Sequence, residues 1–402
     1  MPEKIIFHVD VNSAFLSWTA CDKLWNKELD YDLREVPSII GGNQATRHGI
    51  VLAKSIPSKK YGIITGEPVI DAKKKCPGLI IMPPDYNLYA SRSNDLMCLL
   101  RSLTPEVEQY SVDEAFCDFT GFEELYGYPV IFAHELKDRI KTELGFTVNI
   151  GVSCNRLLAK MASDFRKPDM VHTLFPWEIE KKMWVLPVED LFYVGNASAR
   201  KLRSLGIRTI GDLAHFDPDI LRSHLNSHGI VLWNYANGHE LVTGVDQHIR
   251  NKGFGNSMTI RFDVTDADTA KHYLLALSEI VATRIRADGA MISVIAVSIL
   301  SNEFYYYSHQ MTLTSPTDIT ETIYLSACRL FDEMWDKEPI RQLGVHTHRA
   351  TYDGYYQYDL FNGVRTDKLR AMDSTVDDIR NRYGFDALKR ARFADSIQGE
   401  VS

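Results

Sequence analysis

Ser111-Val112-Asp113-Glu114-Ala115-Phe116-Cys117-Asp118-Phe119 sets two adjacent carboxylates inside a run that otherwise has strand character. Val112, Ala115, Phe116, Cys117 and Phe119 are apolar or aromatic and favour burial. Carboxylates placed there cost free energy unless positive charge meets them. Two readings are open: an acid pair on an edge strand facing water, or a pair that holds a hard cation such as Mg2+ through carboxylate oxygens.

The N-terminal stretch offers a third carboxylate. Ile5-Ile6-Phe7-His8-Val9 is a short strand-type run that ends in Asp10, and Asn12 or Ser13 is an N-cap candidate for a helix over roughly Ala14 to Trp25. Asp10 is thereby expected at the carboxyl end of a strand, facing the positive end of a helix, where anions and metal-bound phosphates settle. The plainer alternative is an Asp that only caps the helix. Residues 36–66 read as a small β-rich insert ending in a basic segment with Lys54, Lys59 and Lys60, either phosphate-holding or simply solvated. The pattern from 67 to 110 is helical, broken at Pro83-Pro84. A helix from about Val130 to Leu144, a strand over Phe146 to Val152 and a helix from Asn155 to Ala162 follow. Strands bracketed by helices point to an α+β domain whose sheet carries Asp10 and Asp113.

Asp10-Val11-Asn12-Ser13-Ala14-Phe15, Ser111 to Phe116, and Gly151-Val152-Ser153-x-Asn155 through Lys167-Pro168 resemble the catalytic core of the Y-family translesion DNA polymerases, of the bacterial polymerase IV and polymerase V type. The three motifs stand in the family's order. The resemblance implies an α+β, multidomain, right-hand-like polymerase with a ferredoxin-like palm (1–13 and 78–172) and small β-rich fingers (14–77). A helical thumb (173–243), a linker (244–256), a βαββαβ little finger (257–350) and a C-terminal tail (351–402) complete it. It implies that Asp10, Asp113, Glu114 and the Val11 carbonyl hold two Mg2+ ions, with Asp10, Asp113 and Glu114 catalytic. Backbone N–H groups of Ser13, Ala14 and Phe15, with Lys59 and Lys167, would hold the nucleotide. Phe15 stands at the steric-gate position that favours dNTPs over ribonucleotides. One departure stands out: where much of the family carries Tyr and Arg in the fingers, this chain has Ile56 and Lys59, and Lys lacks the fork of Arg.

Downstream, Val194-Gly195-Asn196 followed by Lys201 reads as a helix-hairpin-helix that grips phosphates through backbone N–H groups, or as a plain helical hairpin. From Ser257 to His348 the pattern is β-α-β-β-α-β, a ferredoxin-like unit. The aromatic row Phe304 to Tyr307 is expected to cover its sheet, and His346 and His348 are read as structural. In the tail, Gln357-Tyr358-Asp359-Leu360-Phe361 resembles the peptide by which bacterial polymerases dock on the sliding clamp, with Gln357, Leu360 and Phe361 as its contacts. A helix over Thr366 to Tyr383 closes the pattern.

At 402 residues the chain is expected to form several domains. Net charge of −8 argues against nucleic-acid binding over the whole surface, though not against a local basic face. Six scattered cysteines without a C-x-x-C pair indicate neither a disulfide framework nor a zinc site. No secretory or membrane-spanning stretch is evident, and the cysteine pattern points to a reduced, cytoplasmic setting; a monomer is expected, with primer-template DNA, dNTPs and the sliding clamp as partners and no membrane. Two other classes remain: a non-catalytic DNA- and clamp-binding factor on the same fold, and another metal-dependent nucleotidyl transferase such as a cyclase.

Overall fold

The structure, a computed structural model, describes residues 4–42, 49–241, 250–353, 363–384 and 387–391. These fall into two compact units, residues 4–241 and residues 250–391. The described strands of the first unit are β1 (Ile6–Val11), β2 (Ser38–Gly41), β3 (Val51–Lys54), β4 (Ile80–Met82), β5 (Val107–Gln109), β6 (Glu114–Asp118), β7 (Val148–Ser153) and β8 (Val171–Thr173).

The main sheet has the order β5-β6-β1-β7-β8, antiparallel except for the β7–β8 pair. Every residue of β1 and β7 is buried, which is why both read as apolar runs. Alternation divides β1 between two faces. Phe7, Val9 and Val11 enter the main core with Leu96, Met97 and Leu100 of the helix Tyr86–Arg101 and Leu136 and Ile140 of the helix Pro129–Leu144. Ile6, His8 and Asp10 face the other way, under the helix Arg156–Asp164, where Ile6 packs with Phe116 and Ala159. Register then sets Asp10 opposite Glu114 on one side and Asn149 on the other.

Gly151 permits the close approach of that helix. A Cβ there would lie 1.9 Å from the Ala159 carbonyl oxygen and 2.6 Å from the Ser163 nitrogen. The helix Ala14–Trp25 serves two cores: Ala14, Trp18 and Cys21 pack on the main sheet, Leu16 and Ala20 with Leu33, Ile40 and Ala53.

Three local expectations change. The strand at the opening stretch covers only Glu114–Asp118, and Asp113 lies in the turn before it. The helical pattern from 67 to 110 contains β4 and β5; β4 pairs in parallel with β2 in the small sheet β3-β2-β4, beyond the expected domain boundary at 78. Cross-strand pairing outweighs propensity for such three-residue segments. Neither Asn12 nor Ser13 caps the first long helix through its side chain. Instead, Asn12 donates to Asn149 Oδ1 and accepts from the Asp169 amide.

After β8 the chain is helical, with Leu202, Ile210, Leu213, Leu221 and Leu232 gathered around Leu157, Leu158 and Met161 of the helix Arg156–Asp164. That helix therefore serves both the sheet and the helical bundle.

The second unit follows the expected order: β9 (Gly255–Val264), the helix Ala267–Ala287, β10 (Met291–Ser301), β11 (Tyr306–Thr317), the helix Thr320–Met334 and β12 (Ile340–Thr351). Its sheet is antiparallel in the order β11-β10-β12-β9, with Leu274, Leu277, Val281, Ile323 and Phe331 of the helices packed on Ile295, Val297, Ile299, Leu343 and Val345. Of the aromatic row only Tyr307 packs against this core. Phe304, Tyr305 and Tyr306 are more than 60% exposed because they fall in the hairpin turn and at the start of β11. His346 Nε2 lies 3.1 Å from the Ser298 hydroxyl within the sheet. The helix Gly363–Tyr383 is tied to this unit by charge: Asp377 binds Arg286 at 2.6 Å, and Asp373 accepts from the Thr320 amide at 2.8 Å. The peptide 357–361 lies outside the described residues.

Candidate active site

Asp10 is the penultimate residue of β1, 7% exposed, and the chain turns just beyond Val11. The Val11 amide donates to the Asp113 carbonyl at 3.0 Å, so the backbone draws the turn carrying Asp113 onto the end of β1. Both the Tyr110 and Ser111 amides donate to the Glu114 carbonyl, closing that turn, and the Ser111 hydroxyl donates to Asp113 Oδ1 at 2.7 Å. Asp10 and Glu114 thus face each other on two neighbouring strands at one end of the sheet, and Asp113 lies in the turn just before Glu114.

Their charge is answered by lysines. Lys160 Nζ stands 2.5 Å from Glu114 Oε1 and 3.5 Å from Asp10 Oδ2; Lys167 Nζ stands 3.0 Å from Asp10 Oδ2 and 2.8 Å from Asp164 Oδ1. Burial pushes the Glu114 carboxyl above its usual range; the Lys160 ammonium opposes that rise and the Asp10 charge adds to it. Burial works against the charge on Lys160 and Lys167, yet their carboxylate partners hold both above the ordinary lysine value. Behind Glu114, burial and then the two ammonium groups keep His8 well below its ordinary pKa, hence neutral. Ser163 donates to the Lys160 carbonyl and contacts His8 Nδ1 at 2.8 Å. His8 Nε2 has no hydrogen-bond partner among the described residues and lies 3.9 Å from Glu114 Oε2.

A cavity of about 350 Å3 opens beside Asp10. Val11, Ser13, Lys59 and Lys167 line it, together with Ile56 from the same short helix as Lys59. Ser13 is left-handed at φ 48°, and the helix starting at Ala14 presents its uncapped amide end at this position. Ala14, Phe15, Asp113 and Glu114 are not part of the lining. Phe15 is half-buried, its ring stacked on Tyr89 at 4.3 Å between centroids. Asp32 and Arg34 line the same cavity and were missed from sequence; Arg34 binds Asp32 and the Gly145 carbonyl, and Asp-x-Arg in a polar loop gave no signal.

The turn Val194-Gly195-Asn196 begins the helix Asn196–Ser204, with Gly195 at its N-cap and Gly195, Asn196 and Lys201 exposed. Two residues earlier, Phe192 packs on Tyr110 at 6.4 Å, which sets this turn beside the hairpin of Asp113 and Glu114.

Among the described residues no three His, Cys, Asp or Glu side chains already converge as a metal cage. The donor set nevertheless fits a hard cation. Asp10 and Glu114 are cross-strand partners whose oxygens already gather one ammonium, and the site keeps excess negative charge with Asp113 beside it. Asp118 accepts from the Thr120 amide and is structural. None of the six cysteines, all of them among the described residues, forms a disulfide, and no described helix is long and apolar enough to cross a membrane.

Residues 9–164 match the impB/mucB/samB family and residues 251–360 match that family's C-terminal domain. The chain is similar to DNA polymerase IV of Clostridium acetobutylicum, 46% identical over 96% of this chain and 98% of that protein. It is also similar to DNA polymerase IV 2 of Bacillus subtilis, 34% identical over 97% of this chain and 95% of that one. Among solved structures, a chimeric Y-family DNA polymerase superposes with a TM-score of 0.71 at 22% identity, covering 86% of this chain and 98% of that one, a likeness of fold. The motifs, the fold and these relatives agree: the chain belongs to the Y-family DNA polymerases of the bacterial polymerase IV and polymerase V type.

Proposed function

We propose that this chain extends a primer 3′ end on a DNA template by two-metal phosphoryl transfer, with low fidelity and across damaged template positions. The observation that carries the reading is the Asp10–Glu114 cross-strand pair, with the turn of Asp113 drawn to it by the Val11 amide, and with Asp10 itself lining a cavity that Lys59 and Lys167 also line. Asp10, Asp113, Glu114 and the Val11 carbonyl hold two Mg2+ ions. Ions held there would supply positive charge to lower the pKa of the primer hydroxyl and to balance the triphosphate and leaving pyrophosphate.

The chain's own groups do the rest. Amides of Ser13, Ala14 and Phe15 at the helix start receive phosphate oxygens. Lys167 supplies charge from the Asp10 side of the cavity and Lys59 from the small helix that also carries Ile56. The Phe15 ring, fixed by its stack on Tyr89, blocks a 2′ hydroxyl. Val194, Gly195, Asn196 and Lys201 grip duplex phosphates without reading bases.

In this reading residues 1–13 and 78–172 form the palm and 14–77 the fingers, with β4 joining the fingers' sheet. Residues 173–243 are the thumb, 244–256 a linker, 257–350 the little finger and 351–402 the tail. Gln357, Leu360 and Phe361 dock on the sliding clamp, and the enzyme works as a cytoplasmic monomer. Extension of undamaged and lesion-containing templates with Mg2+, with and without clamp, tests the reading. Wild-type extension by Asp113→Ala would remove the catalytic assignment.

A further inference from the structure

Lys160 has no part in the reaction as set out above, yet it makes one of the shortest contacts at the site, 2.5 Å to Glu114 Oε1, and is only 8% exposed. A buried ammonium persists only where carboxylates answer it. The same Nζ reaches Asp10 Oδ2 at 3.5 Å, so it stands on two of the oxygen-bearing groups assigned to metal. An ammonium and a divalent cation cannot share those oxygens at such range without strong repulsion. One turn along the same helix, the half-exposed Asp164 offers a second seat, its Oδ2 3.7 Å from Lys160 Nζ.

We propose that Lys160 is a displaceable internal cation. In the metal-free enzyme it holds Asp10 and Glu114 together against their mutual repulsion; when a divalent ion binds, it withdraws to Asp164. Lys167 already joins Asp10 to Asp164, so the withdrawal exchanges partners within one connected ring of charges rather than exposing a bare ammonium. The inference rests on the assignment of metal to Asp10 and Glu114.

Mn2+ binding to the full-length protein without DNA or nucleotide, followed by the electron paramagnetic resonance of free Mn2+, tests it. Lys160→Met is expected to bind Mn2+ at least about ten-fold more tightly than wild type, since a like charge has been removed from the site. Its melting temperature in chelator is expected to fall below wild type and to recover at saturating Mn2+. Asp164→Asn, which removes the second seat but no metal oxygen, is expected to weaken Mn2+ binding. Wild-type or weaker affinity in Lys160→Met overturns the proposal. If that variant does not fold without metal, unchanged affinity in Asp164→Asn overturns it instead. Asp10→Asn separates the two levels: unaltered Mn2+ binding there would overturn the metal assignment itself. Lost binding there, with unaltered binding in Lys160→Met, removes only the internal cation.

Discussion

Gly151→Ala should damage fold and site together, because the new Cβ would meet backbone rather than a yielding side chain. It would sit 1.9 Å from the Ala159 oxygen and 2.6 Å from the Ser163 nitrogen. An ordinary carbon–oxygen contact needs about 3.3 Å, so the helix Arg156–Asp164 must lift by roughly 1.4 Å. Overpacking of this kind costs about 1–3 kcal/mol, and with two backbone atoms in the way the upper end applies. For a unit of this size that lowers the melting temperature by about 6–12 °C. The same displacement breaks the metal-free contacts of Lys160 and Ser163 with Glu114 and His8, at 2.5 and 2.8 Å, and draws Asp164 away from the Lys167 that it holds at 2.8 Å beside Asp10. Misplacement by about 1 Å near an active site costs on the order of 10²-fold in rate. Thermal melting and single-turnover primer extension on Gly151→Ala measure both effects. Gly78→Ala is the control: nothing lies within 4 Å of its Cβ, and both quantities should stay near wild type. Wild-type melting and extension in Gly151→Ala would refute the account of how this helix seats on the sheet.

Other outcomes follow from single contacts. Phe15→Ala removes the ring stacked on Tyr89 and should raise ribonucleotide incorporation relative to dNTP by roughly 10²-fold; unchanged sugar selectivity would deny Phe15 the gate. Asp169 is left-handed at φ 59°, a conformation Asn also tolerates, so Asp169→Asn tests charge with little backbone cost. Burial favours its neutral form, but hydrogen bonds from Lys137 and Lys141 hold its carboxyl below the usual range. A folded pKa below the unfolded one gives stabilisation that is full above about pH 4 and lost as pH falls through the folded value. The variant should therefore be about 1 kcal/mol less stable near neutrality, with the gap closing in acid; a gap independent of pH would contradict this. Replacing Leu360 and Phe361 by alanine should abolish stimulation by clamp while leaving clamp-free extension intact, and retained stimulation would remove the peptide from the account.

Much of this was legible because strands and helices with one buried face announce themselves. Asp10 at the end of an apolar run and Asp113-Glu114 at the head of another fixed the carboxylate end of the sheet, and alternation put Glu114 on the same face as Asp10. The βαββαβ unit was legible from its long periodic segments. β4 and β5 were not, since three residues carry no periodicity and their pairing is decided by other strands, β2 about 40 residues earlier for β4 and the hairpin partner β6 for β5. Lys160 was missed although a signal existed. It stands inside Leu157-Leu158-Ala159-Lys160-Met161-Ala162, where every residue is buried, and a lysine there requires an acidic partner. Asn12 was read as a cap because Asn commonly is one; its actual partners, Asn149 and Asp169, are more than 130 residues away.

The central claim is that Asp10, Asp113 and Glu114 form a metal-dependent catalytic centre for nucleotide addition. Single-turnover incorporation by Asp10→Asn on pre-bound primer-template at saturating Mg2+ and dNTP tests it most directly. The account predicts a rate at least about 10³-fold below wild type, with DNA affinity within a few-fold. A wild-type rate with DNA bound would contradict it.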